Sequence, residues 1–211
     1  QDVDQEDPPM NLRDTAPSNY FQLTQNVYAP DSSDGWVFQG PFDERGARLV
    51  DPWQYTDGQH LDVVNTAAAP TFRVAQPAGT PLDFNISGLG IPVVPERVVR
   101  IFERLGTKDV QFLPAKIASL ADPWFILNVT RVVRCIDDTR SRHVAYFGPE
   151  DGQPKKVGTY RAVHGMRIDT TKTEGARIFR PWGWLVAIIV SQDIKEALEQ
   201  ERVTGAKFIE V

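Results

Sequence analysis

Apolar positions recur along this chain with two different spacings. Between residues 95 and 105, Val98, Ile101, Phe102 and Leu105 fall at i, i+3, i+4 and i+7, which is one face of a helix. Pro95 opens that stretch and Gly106 follows it, the residues favoured at a first helical position and just past a helix end. A second helix is predicted after Ser191, whose hydroxyl can accept from a free backbone N–H. Ile194, Ala197 and Leu198 give that helix its apolar face. The stretches 20–28, 109–117, 124–136, 160–168, 177–179, 185–190 and 207–211 are instead short apolar-rich runs, the pattern of strands.

Two of these runs are informative in detail. Residues 184–190 form the longest uninterrupted apolar stretch, seven residues, too short to span a membrane and right for a buried strand. Residues 124–136 are interrupted by Asn128, Arg131 and Arg134, which predicts a partly wet or bulged face. Residues 29–60 mix Pro and Gly with Trp36, Phe38, Phe42, Trp53 and Tyr55, so short strands and packed loops are expected there. The elements add up to an α+β fold: a mixed or largely antiparallel sheet with two or more helices packed on one side of it. Residues 20–211 read as one domain. Residues 1–19 hold few apolar side chains and read as an acidic, flexible arm.

Composition sharpens this only in places. The chain has 211 residues, 41% of them hydrophobic, enough for a core without staples. Cys135 is the single cysteine, which excludes an intrachain disulfide and a cysteine-based zinc site within one chain. The first 20 residues lack a basic start and an apolar run, so no secretory leader is read and a cytoplasmic location is expected. The net charge of −5 is uneven: residues 1–34 carry seven acids and one base. A near-neutral remainder does not suggest nucleic-acid binding, which relies on Lys and Arg against phosphates.

Candidate chemistry is sparse. His60, His143 and His164 show no metal-ligand spacing, and Asp137 and Asp138 near His143 lie on a predicted turn. The Ser87-Gly88-Leu89-Gly90 run lacks the third glycine and helix start of a dinucleotide loop. The chain contains neither a phosphate-binding Gly-Lys-Ser/Thr loop nor a Gly-x-Ser-x-Gly elbow. Cys135 sits in an apolar run, which favours a buried, inert thiol. The Asn128-Val129-Thr130 acceptor pattern lies inside a predicted strand and is discounted. No cofactor or metal is expected. The most distinctive segment is Arg180-Pro181-Trp182-Gly183-Trp184. Tryptophan and arginine are enriched at binding hot spots, so Arg180, Trp182 and Trp184 are candidate partner contacts, with Trp124 as a fourth.

Several segments together resemble a family. They are 86–94 (Ile-Ser-Gly-Leu-Gly-Ile-Pro-Val-Val), 109–114 (Asp-Val-Gln-Phe-Leu-Pro), 124–129 (Trp-Phe-Ile-Leu-Asn-Val) and 135–137, followed by 175–181, 191–198 and 204–211. In that order, over about residues 80–211, they are similar to a domain of unknown function classed among bacterial polymorphic-toxin immunity proteins, abundant in myxobacteria. The resemblance implies neutralisation of a cognate toxin by binding. It carries no catalytic motif.

The reading that results is a non-catalytic protein-binding module of immunity-protein type. It would occlude its partner protein stoichiometrically, without nucleic acid or membrane. Against a basic toxin, the acidic arm would add steering. The alternative is an intracellular signalling adaptor that docks on a regulatory protein such as a small Ras-like GTPase. A third, from another class, is a hydrolase or lyase built on carboxylates and His164.

Overall fold

The computed structural model describes residues 19–26, 35–62, 69–75, 79, 81–118 and 120–211. The predicted arm, apart from Asn19, lies outside these residues. So does the C-terminal part of the strand predicted over 20–28.

The described residues form two sheets and a hairpin. The first sheet has six strands: β2 (Phe38–Phe42), β3 (Thr71–Val74), β4 (Asn85–Ile86), β5 (Pro92–Pro95), β6 (Val110–Ile117) and β7 (Trp124–Val129). Their order is β2-β3-β6-β7-β5-β4. The second sheet has five: β1 (Tyr20–Gln25), β8 (Val132–Val133), β11 (Ile178–Pro181), β12 (Ile188–Ser191) and β13 (Ala206–Glu210). These run in the order β13-β1-β12-β11-β8. A separate hairpin pairs β9 (His143–Tyr146) with β10 (Tyr160–His164). Neighbours are antiparallel except β3 with β6 and β8 with β11.

Among the described residues there are also two nine-residue α-helices, α1 (Glu96–Arg104) and α2 (Gln192–Gln200). The periodicity located both. Pro95 turns out to be the residue before α1 and also the end of β5. Ser191 precedes α2 but caps it differently from the expectation: its hydroxyl bonds the Asp193 carboxylate and no backbone N–H.

The expected α+β layering does not hold. Strands take 36% of the described residues and helical residues 18%, so the fold is mainly β. The helices form no layer over one sheet. Val98, Ile101 and Phe102 of α1 and Ile194 and Leu198 of α2 instead enter one apolar cluster with Leu127 and Val129 of the first sheet and Ile188 and Val190 of the second. A second cluster gathers alternate residues of the first sheet, including Val93, Leu113, Trp124 and Ile126, with Phe38 and Tyr55. A third does the same for the second sheet with Tyr20, Phe179 and Ile189. Each sheet therefore has apolar packing on both faces. That is why its central strands are uninterrupted apolar runs instead of alternating ones.

The stretch 124–136 shows what such packing does to a sequence pattern. It was expected to be one strand with a wet face. It breaks after Val129, and its two pieces join different sheets. Asn128 is completely buried and donates to the Gln59 carbonyl at 2.9 Å and to Gln111 at 3.2 Å. These bonds satisfy its NH2 group, while its Oδ1 has no partner among the described residues.

Candidate protein-binding surface

The Arg180–Trp184 segment starts in the core and ends at the surface. Ile178 and Phe179 pair with Val190 and Ile189 of β12. The strand then changes neighbour, and Arg180 and Pro181 run parallel to Val132 and Val133 of β8. The Trp182 N–H donates to the Val133 carbonyl at 2.8 Å and fixes where the segment leaves the sheet. Gly183 has φ +77°, a left-handed conformation that L side chains rarely adopt. The Trp184 N–H donates back to the Pro181 carbonyl at 3.1 Å, closing a turn. Tyr160 of β10 donates its N–H to the Gly183 carbonyl at 3.1 Å and ties this turn to the hairpin.

Beside the turn lies a largely apolar hollow of about 570 Å³. Trp182, Trp184, Leu185 and Val186 form one side. Val132, Tyr160 and Lys156 contribute from β8 and from the hairpin. Asp57 and Gln59 close it from a loop that follows a short helical turn at Pro52–Tyr55. That loop comes close because Gly58 has no side chain: a Cβ there would sit 2.2 Å from Val132 Cγ2.

Within the hollow, Trp182 and Trp184 are half-buried, and Val186 is 69% exposed. Arg134 reaches over Trp182, its Cζ 3.5 Å from the ring centroid. A guanidinium on an indole face is held by the ring quadrupole. Trp184 also packs against the third apolar cluster. An aromatic contact anchored in this way loses little side-chain entropy when a partner binds.

Tyr160 is held as firmly. Its hydroxyl donates to Asp138 at 2.7 Å, and the Tyr146 hydroxyl bonds the same carboxylate. The two phenol rings stack with centroids 4.8 Å apart. Burial first, then the hydrogen bonds with Tyr146 and Asp138, raise Tyr160 far above the usual phenol range. Asp138 is thus engaged in positioning two tyrosines. Its neighbour Asp137 accepts from Thr139 and from the Arg140 N–H within its own turn. His143 and His164 face each other across the hairpin, rings stacked at 5.7 Å and both exposed.

The four contact candidates named from sequence are placed unequally. Trp182 and Trp184 stand together on the hollow. Trp124 is 7% exposed in the second apolar cluster, edge-on to Phe38 at 5.5 Å. Arg180 is completely buried. Its Nη1 donates to the Leu185 carbonyl, while Nε and Nη2 have no partner among the described residues. Burial pushes its guanidinium down to about 10, with the negative charge of Asp57 acting in the opposite direction. Cys135 is buried as expected, and burial pushes its thiol up to about 12.

Sequence reasoning missed Val132, Arg134, Tyr160, Val186 and Asp57. Val186 was read as part of a buried strand, but β12 begins only at Ile188. The others come from separate stretches that only the topology brings together.

The site is thus a part-exposed aromatic hollow on a mainly β chain, with Lys156 and Arg134 beside it. The model of the Immunity protein family (Imm11) matches residues 19–211, and the chain belongs to that family. The match extends the resemblance, first seen over about 80–211, back through β1. No curated protein matches the chain. Membership in an immunity protein family suggests a toxin-neutralising role exercised by binding a partner protein.

Proposed function

We propose that this protein neutralises a toxin by occluding it, without chemistry, and that the hollow between Trp182, Trp184 and Val186 is the contact. The observation that carries the reading is a fixed aromatic recess whose rim, Val186, is an exposed apolar side chain. Concave sites with aromatic anchors concentrate binding energy. The family supports a toxin as partner over a small Ras-like GTPase. Action in the cytoplasm, which would keep the single thiol reduced, belongs to the same proposal.

The test first screens the products of the flanking genes for one whose toxicity this protein relieves, and takes that one as the toxin. Trp182→Ala and Val186→Asp are measured for affinity and for protection of cells that express the toxin. Trp182→Ala should cost about 2 kcal/mol of binding or more, and Val186→Asp should abolish protection, with melting temperatures unchanged. Wild-type affinity and protection in both variants would move the contact elsewhere.

A further inference from the structure

The hollow is apolar in shape but not neutral in field. Lys156 lines it, and Arg134 lies on Trp182. Neither makes an ion pair among the described residues. Arg180 stands behind its wall, bonded to the backbone of Leu185, a lining residue of the hollow. Among the described residues, the one acid on the lining is Asp57.

Arg180 is the unusual member of this group. A buried guanidinium ordinarily has a carboxylate and a full set of acceptors, because an unpaired buried charge is costly. Here two of its nitrogens, Nε and Nη2, have no acceptor among the described residues, and no carboxylate among them lies at ion-pair distance. An apolar residue of similar volume would suit the free protein better. Asp57 acts on it only from beyond ion-pair distance, and a buried positive charge so weakly countered raises the potential of the adjoining cavity, where low dielectric screens it little.

We propose that the hollow selects an acidic side chain of the partner protein, an Asp or Glu flanked by apolar residues. This rests on the hollow being the contact surface. The incoming carboxylate meets Lys156 and Arg134 at the rim. Arg180 acts across the wall without touching it, and the partner adds a negative charge to the weak one that Asp57 supplies in the free protein. Arg180 is therefore a positioning charge, and the Trp182–Val186 turn presents the apolar part of the contact.

Removal of Arg180 separates this from a structural role. Arg180→Met should leave the melting temperature equal or higher, because the buried charge goes while the volume stays. It should weaken toxin binding by about tenfold. The second variant, Asp57→Asn, changes an exposed loop residue and keeps its turn. It removes the opposing charge and should tighten binding by about threefold. Replacing the toxin's acidic residues singly by Asn or Gln should identify one against which both effects vanish.

Unchanged affinity in both Arg180→Met and Asp57→Asn overturns the inference. Weaker binding in Asp57→Asn also overturns it, because the incoming group would then be cationic. If Arg180→Met does not fold, Asp57→Asn and the toxin scan decide alone. Failure here is distinct from failure of the contact itself, which appears as wild-type affinity in Trp182→Ala and Val186→Asp. A dimer of the chain alone that Val186→Asp dissolves would assign the hollow to a second copy and overturn both.

Discussion

At Asp83 one carboxylate receives four hydrogen bonds. Arg97 of α1 donates two, at 2.6 and 2.7 Å, and the Thr204 N–H and hydroxyl donate at 2.8 and 2.7 Å. Arg97 also reaches the carbonyls of Glu201 and Arg202. The group joins the start of α1 to the turn after α2. Burial alone would raise the acid's pKa, but the bonds from Arg97 and Thr204 outweigh it and hold Asp83 below the ordinary carboxylate range. A depressed folded value has a definite sign: the stabilisation is complete above the unfolded pKa, about 3.9, and is lost as pH falls through the folded one. Asp83→Asn should cost about 2 kcal/mol in urea unfolding near pH 7. The difference from wild type should shrink near pH 3. An equal difference at both pH values would mean that the charge is not what stabilises the joint.

At the scale of elements, the sequence revealed helices better than strands, and the reason is physical. An amphipathic helix with one wet face keeps its period, so Val98, Ile101 and Phe102 were readable. Strands buried on both faces lose theirs. Ile188, Ile189 and Val190 are all buried because the outer two face the central cluster and Ile189 faces the third. Such a run does not say where it begins, so Val186 was assigned to it although the strand starts two residues later. The hollow has the same character. Trp182 and Trp184 announced themselves by composition, whereas Asp57 belongs to the site only because Gly58 lets its loop reach β8. Gly58 has φ +81°. Gly58→Ala combines that strain with the close approach to Val132 and should cost about 2 kcal/mol or more. It should also move the Asp57 wall, so toxin affinity should fall beyond what Val132→Ala produces. Equal affinity in the two variants would argue against a rigid wall.

For the molecule as a whole, the central cluster decides cooperativity. Leu127 of the first sheet and Val190 of the second are both completely buried in it, and both helices contribute to it. The two sheets therefore cannot unfold independently without exposing the same apolar surface. Leu127→Ala should lower stability by about 3 kcal/mol. It should do so in one transition, with hydrogen exchange of β6–β7 and β11–β12 amides accelerated together. Acceleration in the first sheet alone would show two separate units. This shared core was not legible in the sequence. One sheet with helices on one side and two sheets with helices entering between them use the same apolar segments, and pairing partners are set by contacts distant along the chain. Family similarity located the role more directly than the pattern located the architecture.

One pairing has a consequence in time. β1 sits between β12 and β13, with Leu23 opposite Ile188 on one side and Phe208 on the other. During synthesis β1, with Tyr20, Phe21 and Leu23, waits while the more than 160 residues between it and β12 are made before either partner leaves the ribosome. Long-range pairing of this kind is slow to close and leaves an unpaired strand open to wrong neighbours. If the protein acts as proposed, protection against a toxin would begin only when β13 has been delivered, and a ribosome stalled short of it would yield no partial protection.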